Sequence, residues 1–108
     1  MARFGFEEMQ AIQRELQEKY FDQWGGLRPE TGRDSLLWMM IEAGEAADVI
    51  KKQGDGLIIE DSDIRRHFIE ELCDVMMYFN DVMLCYGVTP EELEQVYREK
   101  HRRNMSRW

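Results

Sequence analysis

Phe68-Ile69-Glu70-Glu71-Leu72-Cys73-Asp74-Val75-Met76-Met77-Tyr78-Phe79-Asn80-Asp81-Val82-Met83-Leu84-Cys85 is the stretch from which the fold is read. Counting Tyr78, 13 of these 18 residues are apolar. They occupy every side of a helix, and a helix of that kind is expected to be buried all round. Its polar residues keep to one line. His67, Glu71, Asp74, Tyr78 and Asp81 stand at i, i+4, i+7, i+11 and i+14, a narrow stripe on one face. One reading of that stripe is a solvated seam widened by Glu70 and Asn80. The other is an acidic seam facing a second helix.

Working outward, punctuation and periodicity predict four helical segments. The first runs from about Phe6 to Gln23, with Met9, Ile12, Leu16 and Tyr20 at helical spacing, and stops at Gly25-Gly26. The second opens near Asp34 or Ser35 and runs to about Lys52, before Gly54-Asp55-Gly56. The third opens at Asp61 or Ser62 and reaches Tyr86, closed by Gly87. The fourth has the clearest start: Thr89 as N-cap, Pro90 at the first helical position, and Glu92 as the capping-box partner. Leu57-Ile58-Ile59 is apolar, but a lone strand has nothing to pair with, so a connecting loop packed on the bundle is expected. The fold class is all-α, a helical bundle of about four helices.

Length and composition agree. The chain has 108 residues and a mass of 13.0 kDa, enough for one domain spanning residues 1–108 and one small core. It is 44% hydrophobic and 33% charged with only 2 Pro, which excludes a disordered, collagenous or disulfide-dense chain. Cys73 and Cys85, about 18 Å apart on a helix, are out of disulfide reach. A formal charge of −8 argues against a nucleic-acid partner. No apolar run reaches the ~18 residues of a membrane span, and MARFGFEEMQ contains no signal-peptide core, so a cytoplasmic location is expected. The charge is uneven: Arg98 to Trp108 holds five Lys/Arg against one acid, a net +4, leaving −12 on the preceding 97 residues. Such a tail is either a local anion site or a solvated end.

The second segment complements the third. Leu36-Leu37-Trp38-Met39-Met40-Ile41 is wholly apolar and is followed by Glu42-Ala43-Gly44-Glu45. Ala43, Gly44, Ala46 and Ala47 let another helix approach closely, so Glu42 and Glu45 are expected in a crevice opposite Glu71 and Asp74. At an effective dielectric near 20, two charges about 5 Å apart repel by roughly 3 kcal/mol. Either protonation or a cation must relieve four such groups. Oxygen-only ligands select Mg²⁺, with Mn²⁺ as substitute, over Zn²⁺. A di-iron bundle needs Glu-x-x-His pairs, and neither His67 nor His101 has a Glu three residues before it.

Glu42-x-x-Glu45, a gap of 25 residues, then Glu71-x-x-Asp74 resembles the signature of the MazG-like all-α nucleotide pyrophosphohydrolases, which include the dCTP pyrophosphatases. IEAGEAADVIKK and IEELCDVMMYFNDV resemble its motif-bearing helices, and YREKHRRNMSRW its closing Lys…Asn…Arg element. The resemblance covers roughly residues 34 to 108. Trp24-Gly25-Gly26 matches no motif. The resemblance implies hydrolysis of a nucleoside triphosphate between the α and β phosphates, giving monophosphate and pyrophosphate. Glu42, Glu45, Glu71 and Asp74 would then be the catalytic metal ligands, with Glu45 or another acid taking the proton of the attacking water. Tyr78 would contact phosphate or sugar, Lys100, Asn104 and Arg107 would bind phosphate oxygens, and Trp38 would stack on the base.

Blander roles stand beside these. Trp38 also fits a core indole, Lys52 an ordinary cation at a helix C-terminus, His67 an exposed helix residue, and the tail a solvated end. The methionines read as core and subunit contact. The apolar surface of the second and third segments exceeds what one small monomer covers, so a homodimer or homotetramer is expected, with the tail completing the site of its own subunit or its neighbour's. Two rivals remain: a related pyrophosphatase acting on another nucleotide such as phosphoribosyl-ATP, and a non-catalytic helical dimer serving as an interaction module.

Overall fold

The computed structural model describes residues 3–108. The chain folds into α1 (Phe6–Lys19), α2 (Phe21–Trp24), α3 (Pro29–Gln53), α4 (Asp55–Glu60), α5 (Ser62–Cys85) and α6 (Pro90–Met105), with no strand among the described residues. The all-α expectation holds: five of the six helices fall on the four segments anticipated, the first segment being divided in two, and α4 is the addition.

The boundaries differ for local reasons. Tyr20 leaves helical geometry at φ −107° and ψ 25°, splitting the first segment into α1 and α2. Its ring packs against Trp24 with centroids 4.6 Å apart. Gly25 and Gly26 then both take φ of +81°, a conformation that favours glycine and turns the chain sharply. α3 begins at Pro29, several residues before the expected start. Pro29 suits the first helical position, the Arg28 N–H donates to Thr31 Oγ1 at 3.2 Å, and the Thr31 hydroxyl donates to the Gly26 carbonyl at 2.7 Å.

Leu57-Ile58-Ile59 is not a loop. It forms α4, a short helix that buries Ile58 against the bundle. α5 opens where expected, with Asp61 Oδ1 accepting from the N–H groups of Asp63 and Ile64 at 3.0 and 3.1 Å. α6 opens on the anticipated capping box, with Glu92 N–H donating to Thr89 Oγ1 at 3.1 Å and Thr89 N–H to Glu92 Oε1 at 3.1 Å.

The α3–α5 pair is the centre of the fold, and α1 and α4 pack on α5. Close approach of α3 to α5 requires Gly32, where a Cβ would fall 2.8 Å from Cys85 Cβ and from the Tyr86 ring. The buried apolar core is small: Ala46, Val49, Ile58, Met83 and Cys85. Beside it Gln10, Gln13, Asn80 and Asp81 are also buried. α5 is therefore not covered all round within one chain. Its neighbours leave one flank open, where Ile69 and Leu72 are each 45% exposed. The outer face of α3 is open as well, with Leu37 and Met40 in solvent. α6 has only marginal contact with the other helices.

Candidate metal centre and adjoining cleft

Glu42 projects from α3, and Glu71 and Asp74 from one face of α5, where a three-residue spacing keeps two side chains on neighbouring positions. One carboxylate oxygen from each of the three lies within 4.8 Å of the others. All three side chains are half-buried. The Glu42 carboxyl is held above its ordinary range, first by loss of hydration and then by the charges of Asp74, Glu71 and Glu45. Three hard oxygen donors from two facing helices form a set suited to a hard divalent cation.

Glu45 stands outside this triplet and is exposed. Three residues advance a helix by about 300°, so Glu45 sits roughly 60° off the Glu42 direction. Its charge still reaches Glu42. His67 Nε2 lies 3.6 Å from Glu71 Oε1, one turn along α5. Lys52 reaches no acid of the cluster. It pairs instead with Asp48 on its own helix at 2.8 Å, the ordinary role of a cation in a last helical turn.

Beside the triplet a cleft of about 480 Å³ opens between α1, α2, α3 and α5. Asp74 belongs to both the triplet and the cleft wall. Trp24 and Trp38 line it, each about half exposed, together with Met77 and Tyr78. The Tyr78 hydroxyl is pushed up by burial and by the charges of Glu42, Asp81 and Asp74, so it stays a proton donor at neutral pH. Asp81, 4% exposed, accepts from Gln13 Nε2 at 2.9 Å. Burial raises its carboxyl, and hydrogen bonding from Gln13 and Gln17 opposes that rise.

Trp24, Gln13 and Gln17 are cleft residues to which the sequence pattern assigned no role. The available signal was the i, i+4 pair of glutamines on the same side of α1 as Met9 and Tyr20, polar groups where an apolar stripe should continue.

Lys100 and Asn104 lie on α6, and Arg107 just beyond it. Because α6 barely touches the bundle, the protomer does not bring these three to the acidic triplet. Lys100 and Arg107 are exposed, and the Arg107 guanidinium rests 5.3 Å from the centroid of the Trp108 ring. No helix is long and apolar enough to cross a membrane among the described residues. The chain matches no protein-family model, no curated protein and no solved structure.

Proposed function

We propose that this protein is a Mg²⁺-dependent nucleoside triphosphate pyrophosphohydrolase of the MazG-like kind, releasing nucleoside monophosphate and pyrophosphate. The observation that carries this reading is the junction at Asp74: an acidic triplet opens directly into an aromatic-walled cleft. A nucleoside triphosphate has the same two halves, a polyanion and a flat base.

Glu42, Glu71 and Asp74 would hold the ion. When bound, it neutralises phosphate oxygens and lowers the pKa of a coordinated water. The chain's own groups supply the rest. Glu45, outside the triplet and solvated, is free to take the proton of the attacking water. Tyr78, kept protonated by its surroundings, donates a hydrogen bond to phosphate or sugar. Trp38 stacks on the base, with Trp24 on the cleft wall beside it. Lys100, Asn104 and Arg107 meet the phosphates, Arg107 through forked contacts. The proposed working unit is a homodimer or homotetramer.

Incubation with a panel of ribo- and deoxyribonucleoside triphosphates and Mg²⁺, assayed separately for pyrophosphate and orthophosphate, tests this. Pyrophosphate and monophosphate in equal amounts are expected, with none formed in EDTA. Orthophosphate as the product, or no turnover of any nucleotide, would refute it.

A further inference from the structure

We infer that Asp81 and Gln13, on the cleft wall, read the edge of the base. They select a base that carries an amino group beside a ring-nitrogen acceptor, cytosine or adenine, over one that carries a carbonyl there. The inference rests on the nucleotide reading proposed above and adds to it which bases the cleft takes.

The first observation is an order along α5. Asp74, Tyr78 and Asp81 follow one another on one face, and all three line the cleft. Asp74 belongs to the acidic triplet. Asp81 stands seven residues further on, about 10 Å along the helix axis. That is comparable to the reach of a nucleotide from its α-phosphate to the far edge of its base. A triphosphate anchored at Asp74, with its sugar at Tyr78, therefore brings its base edge to Asp81 in the cleft that Trp24 and Trp38 also line.

The second observation is burial. Asp81 is 4% exposed and Gln13 3%. Gln13 Nε2 donates to Asp81 Oδ1 at 2.9 Å, and Gln17 adds hydrogen bonding to the same carboxyl. A carboxylate has about four acceptor positions, so two amides leave it able to accept again. Burying a carboxyl is costly, and an apolar pair of similar volume would join α1 to α5 without that cost. A buried acceptor with unused capacity on a cleft wall suits a ligand that donates.

The chemistry of the pair selects the base. Burial raises the Asp81 carboxyl from its ordinary 3.8, while the hydrogen bonds from Gln13 and Gln17 oppose that rise and favour the carboxylate. A carboxylate accepts and does not donate, and the Gln13 amide nitrogen has a second N–H beyond the one given to Asp81. The two side chains thus offer an acceptor beside a donor. Cytosine answers with its N4 amine and N3, adenine with its N6 amine and N1, and Asp is a standard acceptor for cytosine N4. Uracil and hypoxanthine place a carbonyl oxygen where the amine would stand, facing the carboxylate. No Lys, Arg or His lines the cleft among the described residues, so no cation there relieves that repulsion. A site built around buried polar groups rejects a ligand that leaves them unpaired.

Two matched pairs of substrates differ only at that edge: dCTP against dUTP, and dATP against dITP. With Mg²⁺, kcat/KM should favour the amino member of each pair by roughly 10- to 100-fold. Asp81→Asn keeps the volume and still accepts from Gln13, but its amide also donates to a carbonyl, so both ratios should collapse toward one. A role confined to joining α1 to α5 would instead lower activity on all four nucleotides alike and leave the ratios unchanged. The wild-type ratios test the base preference without any variant. Calorimetric affinities for the α,β-imido analogues of dCTP and dUTP read it without turnover, which separates the two claims. Analogues bound with the amino preference, while the nucleotides are not hydrolysed, refute the proposed reaction and support the reading of the base. Equal kcat/KM within each pair, or a preference for dUTP and dITP, overturns the base reading and leaves the reaction standing. An amino preference unmoved by Asp81→Asn overturns its assignment to this pair, and no binding of any analogue overturns both claims.

Discussion

The α3–α5 pair and α6 differ in both charge and packing. α3 and α5 meet along much of their length, close enough at Gly32 to exclude a side chain, and they hold three acids at fixed separation. α6 is well capped at its start and unsupported afterwards. The acidic half of the proposed site is therefore positioned by the chain's own core, whereas the basic half has little such support within the protomer. Substitutions in the two regions should behave differently for that reason.

The largest effect is expected from the packed half. Asp74→Asn should reduce turnover at least ~1,000-fold, the loss of several kcal/mol of metal-assisted stabilisation. Circular dichroism should show its helix content unchanged. Arg107→Ala, in the unsupported half, should lower kcat/KM by roughly 10- to 100-fold, the range for a hydrogen bond between charged groups. Its metal affinity should stay at the wild-type value, which calorimetric titration with Mg²⁺ checks. If the two variants lose metal binding equally, the division between the halves is wrong.

Stability measurements sharpen the same contrast. Gly32→Ala forces the α3–α5 contact apart and should cost about 1–3 kcal/mol, seen as a lower midpoint in chemical denaturation. Thr89→Ala removes a capping bond from α6 and should cost about 1 kcal/mol or less. A helix with little packing transmits little of that loss to the rest of the fold.

The smallest effect is on pH dependence. Glu42 holds its proton more tightly in the folded chain than its ordinary value of 4.5 implies. Its contribution to metal-free stability is then complete below pH 4.5 and declines as pH rises through the higher folded value. Asp81 follows the same sign from its ordinary 3.8. Melting in EDTA across this window should show a decline in the wild type that is shallower in Glu42→Gln, and Mg²⁺ should offset it. A wild type and variant with parallel pH profiles would contradict the repulsion at Glu42.

Much of this arrangement was readable from the residues. The polar stripe on the third segment, the apolar run before Glu42 and the Thr89-Pro90-x-Glu92 start all depend on local periodicity or capping, which short-range spacing encodes. Other features depend on contacts between distant residues. Gly32 looks like a poor helix residue until Cys85 and Tyr86 arrive beside it. Trp24 becomes a cleft wall only because the paired glycines after it turn the chain back toward α3. Glu45 shares a turn with Glu42 yet stands outside the triplet, whereas the same three-residue step keeps Glu71 and Asp74 together, so spacing alone does not tell which acids converge. An apolar count along α5 predicts complete burial, but burial requires neighbours, and a single chain supplies too few.

Titration with Mn²⁺, followed by electron paramagnetic resonance, addresses the acidic triplet most directly. Saturable binding is expected in the wild type, weakened at least tenfold by Glu71→Gln and unaffected by Glu94→Gln, whose carboxylate pairs with Arg98 on α6. Equal binding by all three proteins would mean that Glu42, Glu71 and Asp74 do not act together on a cation.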